Sequence, residues 1–274
     1  MNEREGTGHP VLPVDGHVHF HSLDRVAVTL DAATVNFSRY AQRQSGLLGI
    51  LLLTEARRER VFEALRERET CGGWTISPSP GEQVSIQATR GDHRIVVVCG
   101  RQVRCHDGLE VTVLGTLEAF PDGLSLEETI CAAAARGAFI SLPWGFGKWL
   151  GARGRVLRES LSRHEPRALA ICDNGSRLQA LGRPRLVQQC DARGHLVLPG
   201  TDPFPFGDDH RRTGAFGFLA PEPAADAPWR GLAEWLRTQR ESPPAYGAAT
   251  GLVRFVVNNV GIQFYNRMRR AGQA

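Results

Sequence analysis

Short apolar runs, each closed by polar, glycine or proline residues, recur along this chain and constrain its fold class more than any other feature. They are Val11–Phe20, Leu47–Thr54, Arg94–Cys99, Leu109–Gly115, Ala138–Pro143, Ala168–Asp173 and His195–Asp202. Each has the length of a strand and is rich in Val, Ile and Leu, as strands buried on both faces are. Between most of them lie stretches with helical spacing. In Thr54–Glu69, Thr54 can cap the start, and Val61, Phe62 and Leu65 form one apolar face. Ser125–Arg136, Val156–His164 and Ser176–Asp191 follow, the last kinked or divided by Pro184. Strand followed by helix, repeated, predicts a parallel α/β sheet, either open and doubly wound or closed into a barrel.

Two regions break the alternation. From Gly72 to Gly115 apolar alternation is punctuated by Pro78, Pro80, Gly81, Gly91, Gly100 and Gly108, with no helical stretch, which predicts a small antiparallel meander. In the last third, Pro221, Pro223, Pro228, Pro243 and Pro244 mark loops around a short helix near Trp229–Arg240. A final helix is expected from about Ala248 to Arg270, with Leu252, Phe255, Val256 and Val260 turned to the core. A chain of 274 residues that is 42% hydrophobic can bury a substantial core, and barrels of this length often form one domain. A single domain over 1–274 is therefore expected, with a core of about 11–218 and a helical extension over 221–274.

Charge and cysteine usage narrow the function classes. The 33 basic residues exceed the 29 acidic ones by a formal +4 and are scattered along the chain, a balance that favours neither nucleic acid nor membrane. No nucleic-acid partner is expected on this ground. The six cysteines show no zinc-site spacing and sit mostly within apolar patterns, as reduced core thiols do. The longest apolar run, Leu47 to Leu53, is too short to span a bilayer, and the N-terminal stretch lacks an apolar segment after a basic start, so a soluble cytoplasmic protein is expected.

The sharpest local signal is Asp-Gly-His-Val-His-Phe-His from Asp15 to His21. Alternate side chains of an extended strand share a face, so Asp15, His17, His19 and His21 would point one way and Val14, Val18 and Phe20 the other. Two imidazoles on one face at a strand end can converge on a divalent metal, although histidines bonded to neighbouring carbonyls are an ordinary alternative.

A chain that opens on Asp-x-His-x-His, continues with an apolar strand ending in Thr54-Glu55, and closes its strand series on Gly200-Thr201-Asp202 resembles the PHP (polymerase and histidinol phosphatase) phosphoesterase family. The resemblance spans roughly Val11 to Phe218, with the specific motifs at its two ends. It implies an α/β fold, a distorted seven-stranded, TIM-like (β/α)7 barrel, here with a small antiparallel β insertion. It also implies that His17, His19 and Asp202 share a metal position. Departures from the family are as informative. Glu55 and Ala56 stand where the family has Asp-His after the second strand, Gln102 where it has a metal-bridging glutamate, and Thr112, Leu142 and Phe204 where it has histidines. If that alignment holds, Gln102, Leu142 and Phe204 point into the same cavity as the histidine pair.

These losses predict a mononuclear site for zinc, manganese or iron, with His17, His19 and Asp202 as ligands and Glu55 or Gln102 as a further oxygen. The expected activity is metal-dependent hydrolysis of a phosphate ester or similar small anion; a catalytically inactive barrel serving as a binding or scaffolding module is the alternative. Lys148 and Arg153, in the Gly- and Trp-rich segment Pro143–Gly154, suit a loop closing over an anionic substrate, or equally a loop packed on the barrel rim. In Cys172–Arg177, Asn174 and Arg177 can bind substrate phosphate beside a helix start, or form a plain turn with Ser176 as cap. Asp173 or His210 is expected to carry the proton, and Lys148, Arg153 or Arg177 to stabilise developing charge. The segment Gly207–Arg212 that holds His210 also reads as a solvated loop.

Overall fold

The computed structural model describes residues 11–41, 46–56, 59–145 and 147–271. Strands β1 (Val11–Val18), β2 (Leu47–Leu53), β3 (Glu55–Ala56), β4 (Thr70–Cys71), β5 (Trp74–Pro78), β6 (Ser85–Arg90), β7 (His93–Val98) and β8 (Gly100–Arg104) form the first half. They are followed by β9 (Glu110–Leu114), β10 (Phe139–Pro143), β11 (Ala170–Asn174), β12 (Val197–Gly200), β13 (Phe216–Pro221) and β14 (Ala245–Gly247). The helices are α1 (Leu23–Phe37), α2 (Val61–Arg66), α3 (Leu126–Ala134), α4 (Gly151–Arg163), α5 (Arg185–Ala192), α6 (Pro228–Thr238) and α7 (Leu252–Ala271).

Mixed α/β architecture results, with two sheets. One has the order β14-β13-β1-β2-β7-β6-β5-β4 and the other β12-β11-β10-β9-β8-β3. The expected parallel pairs are present as β1 with β2, β2 with β7, β10 with β11 and β11 with β12. The expected meander is present as β5–β6–β7 and β8–β9, and β13 adds antiparallel to β1. The sheets meet where strands run on from one into the other: β2 continues past Thr54 into β3, β7 continues past Cys99 into β8, and β3 pairs with β8 as β2 does with β7. Among the described residues no hydrogen-bonded ladder closes these sheets into a barrel. The edge strand β12 of the second sheet nevertheless touches β1 beyond the residues that pair with β13. The Asp202 N–H donates to the His17 carbonyl at 2.8 Å, and a Cβ placed on Gly200 would lie 2.2 Å from the His17 amide nitrogen. Only glycine permits β12 to approach β1 this closely.

An apolar cluster lies between the sheets, built from Val14, Ile50, Leu52, Val98, Leu114, Phe139, Ala170, Leu198 and Phe218 and closed at one end by Trp229, Leu232 and Leu236 of α6. Helices cover the outer faces, α1 and α2 over the first sheet and α3, α4 and α5 over the second. Helix α3 starts where its sequence predicts, on a capping box between Ser125 and Glu128. Helix α1 was not expected, yet Val26, Leu30, Ala33 and Phe37 place one residue per turn against the core, a spacing its Val- and Thr-rich composition disguises.

Two expectations need correction, and a third is met in part. The segment after β2 does not start a helix at Thr54: β3 pairs with β8 first, because sheet hydrogen bonding outweighs the helical spacing, and α2 begins at Val61. The Ser176–Asp191 stretch is divided at Pro184, as a residue without an amide proton requires, and only Arg185–Ala192 is α-helical. On α7, Leu252, Val256 and Val260 are 63%, 51% and 52% exposed and so do not face the core, which α6 has already closed. No helix of the described residues is long and apolar enough to cross a membrane.

Candidate metal centre

Strand β1 owes its histidine pair to an irregularity. Asp15 pairs with Leu51 but Val18 pairs with Leu53, so β1 carries one residue more than β2 over this step. The extra residue reverses the alternation. His17 and His19 therefore face the space between the sheets, whereas Asp15, expected beside them, turns away to accept hydrogen bonds from the Thr201 hydroxyl (2.6 Å), Thr201 N–H (2.8 Å) and Gly214 N–H (2.8 Å). Complete burial pushes the Asp15 carboxyl up to about 6 despite these bonds. Its visible role is to tie the segment after β12 to β1.

His17 Nε2 and His19 Nε2 stand 3.3 Å apart, and Asp202 Oδ1 lies 3.8 Å from the first and 3.5 Å from the second. Ligands held about 2.0–2.2 Å from one tetrahedral ion are separated by roughly 3.3–3.6 Å, so two of the three separations match those of ligands sharing an ion and the third is slightly longer. Thr54 adds an oxygen 3.4 Å from His19 Nε2 while its own proton is positioned to go to the Val18 carbonyl. Asp202 is held firmly. Its backbone is left-handed (φ 47°), its N–H bonds His17, and its Oδ2 accepts from Asn174 Nδ2, whose amide orientation is set by the Ser176 N–H donating to Asn174 Oδ1 at 2.7 Å.

The electrostatics suit cation binding. Burial lowers the His17 imidazole to about 4, against the pull of Asp202, which keeps it neutral and able to ligate. Burial raises the Asp202 carboxyl, but the neighbouring His17 and His19 outweigh it and hold it ionised. His19 goes the other way: burial lowers it, and the Glu59 and Asp202 carboxylates more than compensate. Glu110 on β9 also acts on both imidazoles, and Lys148 acts on Asp202.

Other residues singled out from sequence fall elsewhere. Glu55 is not brought to the centre. It is 2% exposed, bonded to Arg101 at 2.5 Å and to the Phe62 N–H at 2.8 Å, because alternation along β2 and β3 puts Thr54 inward and Glu55 outward. Asp173 is fully buried in a two-pronged pair with Arg177 at 2.6 and 3.1 Å, with Arg183 at 3.3 Å, so both Asp173 and Arg177 are engaged with each other. His210 packs with the segment over α1, and neither group of potential ligands contains it. Lys148 pairs with Glu110 at 2.6 Å, and Arg153 donates to the Gly147 carbonyl at 3.1 Å. Asn174, expected to hold substrate, instead orients Asp202.

The lost-ligand alignment survives in part. Gln102, Thr112 and Ser141 are register partners across β8, β9 and β10, and each has a buried side-chain oxygen without a hydrogen-bond partner. Gln102 is close enough to His17 to act on its basicity. Leu142 does not face this cavity. It belongs to the apolar layer under α3 and α4, since its neighbour Ser141 takes the inward position. Phe204 stacks on Phe206 at 5.4 Å. Sequence reasoning missed Glu59 and Glu110. Glu59 sits in a run of charged residues that looks like a solvated face, and Glu110 opens an ordinary strand.

No family model matches this chain, and no curated relative does either. Two solved structures share its fold. PsfC from Pseudomonas syringae PB-5123 superposes with a TM-score of 0.58 at 15% identity, covering 93% of this chain and 99% of its own. The lesion-specific endonuclease PfuEndoQ from Pyrococcus furiosus superposes with a TM-score of 0.53 at 10% identity, covering 85% of this chain and 57% of its own. Both likenesses point to a PHP-like fold. The second corrects the exclusion of nucleic acid. A fold of this kind serves an endonuclease, and the charge of a whole chain says little about a local groove, so that exclusion does not stand.

Proposed function

We propose that this chain is a metal-dependent hydrolase of phosphate esters, working at a centre in which His17, His19 and Asp202 hold one divalent ion on a distorted seven-stranded barrel closed between β1 and β12. The observation that carries it is the convergence of two imidazole nitrogens and a carboxylate oxygen at 3.3–3.8 Å, with residue types that suit zinc, manganese or iron. A bound ion there supplies Lewis acidity and an activated water. The chain's own residues do the rest. Asn174 holds the Asp202 carboxylate in place, and the Lys148 ammonium, paired with Glu110, acts on Asp202 and favours negative charge there. Asp173 is locked to Arg177 and His210 lies outside the group, so neither is assigned the proton transfer.

A second reading, a barrel that binds without catalysis, is favoured by the uncharged row of Gln102, Thr112 and Ser141, which supplies no further carboxylate or imidazole. One experiment separates the two. Protein purified without chelators is assayed for zinc, manganese and iron and for hydrolysis of p-nitrophenyl phosphate and bis(p-nitrophenyl) phosphate, alongside Asp202→Asn. Bound metal and activity that both disappear in the folded variant are expected. Less than about a tenth of an equivalent of metal in the wild type removes the hydrolase reading.

A further inference from the structure

His19 belongs to two groups of potential ligands. On one edge its Nε2 faces His17 and Asp202. On the other, its Nδ1 lies 3.7 Å from Glu59 Oε2, and His21 Nδ1 lies 3.3 Å from Glu59 Oε1. The His19 and His21 rings stack at 5.2 Å with 12° between their planes, so two Nδ1 atoms confront one carboxylate.

Hydrogen bonding decides what these atoms present. His21 Nε2 lies 2.8 Å from the Pro203 carbonyl oxygen, which can only accept, so Nε2 carries the proton. His21 Nδ1 is thereby left to face a Glu59 carboxylate oxygen at 3.3 Å. Donation of one ring nitrogen to a backbone carbonyl is also how metal-ligating histidines are commonly oriented. His19 Nδ1 is buried, in a side chain only 8% exposed, and has no hydrogen-bond partner. The backbone at His21 is left-handed (φ 62°), a conformation costly for a residue with a Cβ and held here by the Pro203 contact. A carboxylate facing two ring nitrogens calls for positive charge between them, as ring protons or as a metal ion, and separations of 3.3 and 3.7 Å are close to those of ligands roughly 2.1 Å from a common ion.

We propose that His21 Nδ1, the Glu59 carboxylate and His19 Nδ1 form a second divalent-cation site on the far edge of the His19 ring. Two nitrogens and a carboxylate suit zinc or a similar transition metal. Neither Glu59 nor His21 is a position that the resemblance to PHP enzymes supplies. The inference rests on the proposed His17–Asp202 centre only in sharing His19. A neutral imidazole offers one lone pair, so filling both sites releases the remaining His19 ring proton to solvent, and the second ion binds more weakly than the first.

The test is zinc stoichiometry by equilibrium dialysis of metal-stripped protein, with circular dichroism confirming that each variant is folded. Wild type is expected to take up two ions at saturation, one tighter. Glu59→Gln and His21→Asn, the latter chosen because Asn tolerates the left-handed backbone, are each expected to lose the weaker one and keep the other. One ion at saturation in the wild type, or two in both variants, overturns the second site. Failure of the first centre reads differently: Asp202→Asn would then leave the tighter ion in place.

Discussion

Replacing Gly200 by alanine tests whether the approach of β12 to β1 builds the metal centre, because it changes no candidate ligand. The added Cβ would lie 2.2 Å from the His17 amide nitrogen and 2.7 Å from the His17 Cβ, whereas ordinary contact begins at 3.4 Å. His17 has little freedom to yield, since its carbonyl accepts the Asp202 N–H. The strands must therefore part by about 1 Å, and overpacking of this kind typically costs about 1–3 kcal/mol. For a domain of this size that lowers Tm by roughly 2–12 °C. The larger effect falls on the centre. Asp202 Oδ1 now lies 3.5 and 3.8 Å from the two imidazole nitrogens, and a parting of about 1 Å exceeds the ±0.2 Å or so that a metal's ligands tolerate. Zinc affinity, measured by competition with a chromophoric chelator, is expected to fall at least about tenfold, in line with losses seen when only supporting residues change. Gly251→Ala is the control, since a Cβ there meets nothing within 4 Å. Gly200→Ala protein that melts earlier but binds zinc within twofold of wild type would refute the link between strand closure and site.

Arg101→Met breaks a buried pair, leaving Glu55 2% exposed with its charge uncompensated by Arg101, and is expected to destabilise by about 3–5 kcal/mol in urea unfolding at pH 7. Burial already raises the Glu55 carboxyl, so the folded state holds its proton more tightly than the unfolded state does. Stability from that proton is full below the unfolded value and lost as pH rises through the folded one, so the deficit of the variant should shrink as pH is lowered; a deficit that grows on acidification contradicts the assignment. Glu55→Gln, in turn, is expected to keep the zinc content of wild type, because Glu55 faces Arg101 and α2 rather than the histidines. Zinc lost from folded Glu55→Gln protein would return Glu55 to the ligand set.

Local pattern made much of this protein legible. The strand-length apolar runs place β2, β7, β9, β10, β11 and β12, because burial on both faces demands continuous Val, Ile and Leu whatever the neighbours are. The capping box marks the start of α3 for a reason confined to four residues. His17, His19 and Asp202 were likewise nameable in advance, since their motifs open and close the strand series. Tertiary structure alone decided which side chains meet. One additional residue in β1 sends His17 and His19 inward and Asp15 outward, and only the pairing of β1 with β2 reveals it. Glu55, facing outward, met Arg101, a partner 46 residues away, and Glu59 was brought to His19 and His21 across 38 or more positions. Periodicity is a property of neighbours along the chain, whereas a site's electrostatics depend on through-space distances fixed by register and strand closure, and no window of sequence contains them.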